Sequence, residues 1–247
     1  MKRSKRLKNH ASLVKFAGVS YALLAIFYPV FLLSSAESSH GSETLGSFLK
    51  QIISGGAVEH VWWMFFTLIP MLIIFGAIGF YSTVKPYAPK LSVLTLVFSV
   101  CAAFAFLLGI GRWSTLNWGL GEAFLMYKEN SEYLSAVYYV SNEVLGYWIG
   151  HIFAEISLFA SIGAMSIAMF YSKRFPIWLS GFAAIVFILG FSAVFRGFDP
   201  LSSYLHSFLS AFMLVPIFFV LLAIALLRFV RRSKEKPISR KKHKRKL

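Results

Sequence analysis

A chain of 247 residues that is 57% hydrophobic, 17% aromatic and only 14% charged, with a mean hydropathy of +0.68, is too apolar for a water-soluble domain of its length. Its formal net charge of +15 is gathered at the two ends and in two short loops, so it bears on membrane topology before nucleic acid. The single cysteine, Cys101, forms no internal disulfide and builds no cysteine-based metal site alone.

The basic stretch 1–10 precedes an apolar run and then SSAESSH, a pattern shared with signal peptides cleaved near Ala36. At about 18 residues the run exceeds a signal peptide's apolar core, so we read a retained first crossing over 13–34. The Ser/Gly-rich segment that follows carries Leu45, Phe48, Leu49 and Ile52 at helical spacing. It fits a short helix lying on the membrane surface, and equally an ordered loop. Residues 61–81 hold no charge and form the second crossing, opened by Glu59, His60 and the belt residues Trp62 and Trp63, with Pro70 predicting a kink. TVKPYAPK is a short basic turn, and the third crossing runs over 91–111, where Ala105 and Gly109 allow close helix contact. The longest extramembrane segment follows at 112–143. Its mixture of Trp, Tyr and Glu predicts one or two interfacial helices.

The fourth crossing spans 144–171, with Ala160, Ala164 and Ala168 as a small-residue stripe. SKRFP turns the chain, with Pro176 at the first position of a fifth crossing over 177–195. Asp199 before Pro200 reads as a helix start, and the sixth crossing covers 203–229 with a bend at Pro216. The remainder, 231–247, is a solvated polybasic tail suited to anionic lipid. It lacks interleaved aromatic residues, so no specific nucleic-acid partner is expected. With six crossings, all but four of the 25 Lys and Arg residues fall on one side; the four are Lys50, Arg112, Lys128 and Arg196. The positive-inside rule then places both termini in the cytoplasm.

The fourth crossing carries the anomaly. Glu155 lies roughly 15 Å into it, near the bilayer midplane, where a charge costs at least about 2.5–3.5 kcal/mol. Glu143, Tyr147, His151 and Glu155 follow at spacing four and define one polar stripe running inward. With His60, Arg112, Arg196 and His206 at neighbouring helix ends, they form the candidate site, an outward-facing polar pocket between crossings two, four and six. Each outer residue has a plainer reading as a helix end pairing with headgroups. A Glu155–His151 hydrogen bond that only locks the bundle is the plainer reading of the inner pair. His151 and Glu155 are weak candidates for a divalent metal, and His60, His151 or His206 for haem; no cofactor is expected. No HExxH, Gly-x-Ser-x-Gly, P-loop or dinucleotide fingerprint is present, which argues against a recognisable enzyme.

GRW at 111–113, Tyr139, Asn142, LGYWIGHIFAE at 145–155 and FPIWLSGFA at 175–183 resemble the pattern of a domain-of-unknown-function family of small bacterial membrane proteins. The resemblance covers the C-terminal part of the chain and implies a bacterial plasma-membrane bundle with no assigned reaction. The resulting expectation is an all-α, polytopic six-helix bundle in the plasma membrane, one domain over 1–230, N-in and C-in. It binds or transports a small molecule or ion. The alternatives are a structural or regulatory subunit that holds a partner or a second copy, and a membrane metal protein or enzyme.

Overall fold

Lipid offers a backbone no hydrogen-bond partner, so apolar segments of this length must satisfy their own N–H and C=O groups. In the computed structural model, which describes residues 2–37, 53–127, 131–194 and 209–235, the described residues are helical and include no strand. The helices are α1 (Lys2–Glu37), α2 (Gly56–Leu68), α3 (Met71–Val84), α4 (Pro89–Arg112), α5 (Trp118–Met126), α6 (Ser131–Ser141), α7 (Ala154–Ser172), α8 (Ile177–Val194) and α9 (Leu209–Glu235). Among the described residues, two π-helical segments, Trp113–Asn117 and Asn142–Phe153, join α4 to α5 and α6 to α7. Six stretches are long and apolar enough to cross a membrane: His10–Pro29, Gly56–Val84, Pro89–Met126, Glu132–Ser172, Ile177–Val194 and Met213–Arg231.

The six rods form a ring in chain order. α1 packs on α3, α3 on α4, α4 on α7, α7 on α8, α8 on α9, and α9 closes back on α1. Tyr21, Phe80, Phe159, Met165, Phe218, Phe219 and Leu222 are fully buried within it. Tyr21 stacks on Phe219 at 5.3 Å, and its hydroxyl reaches Met165 Sδ at 4.0 Å. Water exclusion does not drive helices together in lipid, so close backbone approach and interhelical hydrogen bonds must do so. Glycines supply the approach: a Cβ on Gly79 would lie 2.1 Å from Ala17 Cβ, and one on Gly190 would lie 1.9 Å from the Phe159 ring. Serines supply the bonds. Ser99 and Ser161 hydroxyls meet at 2.7 Å between α4 and α7, while Ser166 and Ser180 each donate to the other's carbonyl, at 2.8 and 2.6 Å, between α7 and α8. Ser180→Ala is expected to cost about 0.6–1.7 kcal/mol in detergent-driven unfolding, because it removes one donor of that reciprocal pair.

Pro70 breaks the second crossing into α2 and α3. Without an N–H it donates no helical bond, and Ile69 N–H donates to Phe66 O at 3.2 Å instead, with Leu72 and Ile73 bonding to Ile69 and Pro70 carbonyls at 3.0 Å. Pro176 stands just before α8 rather than inside it, its carbonyl accepting from Leu179 N–H at 3.0 Å. Of the small-residue stripe, Ala164 and Ala168 are buried.

The third and fourth crossings depart most from expectation. The helix that was to stop at 111 continues to Met126, and the fourth begins at Ser131 rather than 144. The described residues of 112–143 therefore extend both apolar rods as helix, and the two candidate spans reach 38 and 41 residues. At about 1.5 Å per residue these rods are nearly twice a 30 Å hydrocarbon core. The surface-helix expectation at 45–52, the helix start at Asp199 and the tail beyond 235 lie outside the described residues.

Candidate functional site

The fourth rod is α-helical on both sides of a twelve-residue π-helical stretch, Asn142–Phe153. A π turn holds more residues than an α turn and widens the helix, which turns side chains off the α stripe and is frequent at functional sites. Gly146 and Gly150 let a neighbour come against this widened wall. A Cβ on Gly150 would lie 2.5 Å from Gly109 Cα, so α4 and the π segment touch backbone to backbone.

The inner end of the expected stripe is present. His151 Nδ1 lies 2.6 Å from Glu155 Oε1, with the two side chains 24% and 6% exposed, and the Tyr147 and His151 rings are 5.7 Å apart. Glu155 sits in the first turn of α7, immediately below the π segment. A 2.6 Å contact between imidazole and carboxyl is a short hydrogen bond that ties two side chains one helical turn apart. The outer end is not joined to it: Glu143 is exposed.

Arg112 is held in a second cluster at the end of α4. Its Nε donates to Asn142 Oδ1 and its Nη1 to Gly109 O, both at 2.8 Å. Tyr138 is hydrogen-bonded to the same Asn142 side chain. The guanidinium lies over Gly146, where a Cβ would fall 2.6 Å from its central carbon, and 5.3 Å from the Trp113 ring. Asn142 as the partner of Arg112, and Tyr138 behind it, were not foreseen. The signal available was Gly109 three residues before Arg112, with Gly146 and Gly150 one turn apart on the facing rod.

His60 belongs to a third group. Its Nε2 is 2.7 Å from Ser114 O, and its ring stacks on Trp118 at 4.2 Å, while Trp63 stacks on Trp113 at 5.3 Å. Trp118 Nε1 donates to Glu122 Oε1 at 3.0 Å. The neighbouring Asn117 is fully buried and finds no partner for either amide atom among the described residues. The predicted residues are thus divided among separate contacts. A cavity at the Pro70 break is walled by Leu24, Phe27, Phe66, Ile73, Phe106 and Ile110, and none of the predicted polar residues lines it.

Arg196 and His206 lie outside the described residues. Among the described residues no three His, Cys, Asp or Glu side chains gather as a metal site. His151 and Glu155 offer a divalent ion one nitrogen and one oxygen donor. No family model matches the chain, and neither a curated protein nor a solved structure matches it. What fold and composition define is a helical protein with six helices long and apolar enough to span a membrane.

Proposed function

We propose that this is a multi-pass plasma-membrane protein that binds or transports a small molecule or ion, with Glu155 as the buried anchor and His151 as its hydrogen-bonded partner. One observation carries the reading: a carboxyl side chain only 6% exposed, in an apolar bundle, bonded at 2.6 Å to a part-exposed histidine beneath a π-helical wall. Ionisable groups at membrane depth are costly and mark binding or proton-relay positions. Both termini are assigned to the cytoplasm, supported by the bias of Lys and Arg and by contacts that gather the basic loops at one end. His10 Nε2 lies 3.1 Å from Ser82 O, and Arg174 bonds the Tyr87 hydroxyl while lying 6.0 Å from the Phe229 ring. The tail then faces anionic lipid of the inner leaflet.

The test is thermal stability of the purified protein across a panel of monovalent ions, divalent ions and small metabolites at two pH values. At least one compound is expected to raise the Tm of the wild type, with a stabilisation of about 2.7 kcal/mol at 100 times its Kd, and to leave Glu155→Gln unshifted. Equal shifts in wild type and variant sink the reading.

A second reading, a subunit that holds a partner protein or a second copy, is favoured by the exposed α6 residues Tyr133, Val137, Tyr139 and Val140. It predicts that Tyr133→Lys with Tyr139→Lys lowers the mass of the detergent-solubilised assembly; an unchanged mass counts against it.

A further inference from the structure

We propose that Arg112 is a receptor for a phosphate-type oxyanion at the end of the bundle where the two π-helical segments lie. The inference is independent of the Glu155 reading and rests on different residues.

A guanidinium carries five N–H donors in a fixed fork. Two are used, Nε on Asn142 Oδ1 and one Nη1 N–H on Gly109 O. The other three meet no acceptor, and no carboxylate lies within ion-pair distance, among the described residues. Arg112 is nevertheless only part exposed. A half-buried cation without a counter-charge is costly, and an anion on its open edge offsets that cost.

The cation is also immobilised. Asn142 clamps one edge, the Gly109 carbonyl fixes a second position, bare Gly146 lets the plane lie against the π-helical rod, and Trp113 stands 5.3 Å away. A fork held this way presents its free N–H groups in parallel, the geometry that takes two oxygens of one phosphate. Tyr138, bonded to the clamping amide, adds a hydroxyl beside it. Depth points to the same ligand. Arg112 closes a 24-residue helix that starts at Pro89, so it lies roughly 36 Å along the axis, at headgroup level if α4 spans the bilayer. Two sources supply the same chemistry there: a phospholipid phosphodiester and free phosphate.

The test measures the Tm of the purified full chain in dodecyl maltoside, which carries no phosphate, against two probes, sodium phosphate at ionic strength held with chloride, and phosphatidylglycerol added to the detergent micelles. Wild-type protein is expected to be stabilised by at least one. A phosphate response assigns a soluble ligand, and a response to phosphatidylglycerol alone assigns the lipid headgroup. Arg112→Gln is expected to weaken the responding probe about tenfold or more, and Arg112→Lys by less, because it keeps charge and loses the fork. Gly146→Ala, whose methyl would occupy the space 2.6 Å from the guanidinium carbon, is expected to mimic Arg112→Gln. Arg174→Gln, whose side chain sits on Tyr87, should respond like wild type. If Arg112→Gln does not fold, Arg112→Lys and Gly146→Ala decide. A wild type stabilised by neither probe, or variants that respond as the wild type does, overturns the proposal.

Discussion

Gly109→Val is expected to cost about 3 kcal/mol and to leave little folded protein in mild detergent. A Cβ at this position would stand 2.4 Å from Gly150 Cα and 3.4 Å from Leu145 O, and both are backbone atoms that no rotamer change moves aside. Overpacking of this kind has to separate α4 from the π-helical segment, which also pulls the Gly109 carbonyl away from Arg112. Gly119 provides the control. It meets nothing within 4 Å, so Gly119→Ala should gain about 0.5–1 kcal/mol from helix propensity alone. Unfolding curves in bicelles against sodium dodecyl sulfate check both; a Gly109→Val protein as stable as wild type would show that the two rods do not meet at these glycines.

The second large effect is expected at His151. Replacing it with alanine removes the 2.6 Å partner of a buried carboxyl group, and losing a charged hydrogen bond of this kind costs about 1.5–3 kcal/mol. The companion change matters more than the single one. If the two groups act as a pair, His151→Ala added to Glu155→Gln costs less than the sum of the separate losses, with a coupling of about 0.5–3 kcal/mol. Additive losses would mean that the short contact contributes nothing.

Hydropathy placed all six apolar rods, because lipid imposes one rule on every spanning segment and leaves a dense apolar run as its signature. Their ends were less legible. Residues 112–143 read as interfacial because Trp, Tyr and Glu mingle there, yet helix continues through Met126 and again from Ser131. Composition reports the surroundings of a helix and is silent on where it stops. The π-helical stretches left no mark either. A π turn shifts register by about one residue per turn, which smears a periodicity without replacing it by another.

The candidate site divides along the same line. His151 and Glu155 are four apart on one rod, so their contact depends on local geometry alone and was readable. Arg112 with Asn142 is separated by 30 residues, and His60 with Ser114 by 54; each needs two rods in a given rotation, which spacing within one rod does not contain. Pro70 was legible as a kink because a missing N–H acts on its own turn. Gly109 was legible as a place of close approach, while its partner Gly150 was not, since a glycine announces space without saying what fills it.

The buried bond between Glu155 and His151 is tested most directly by infrared spectroscopy of the full chain in lipid nanodiscs, wild type against Glu155→Gln and His151→Ala. The predicted result is a side-chain carboxyl band that is absent from Glu155→Gln and moves in frequency in His151→Ala, which loses the 2.6 Å partner. Carboxyl regions that superimpose in all three proteins would contradict it.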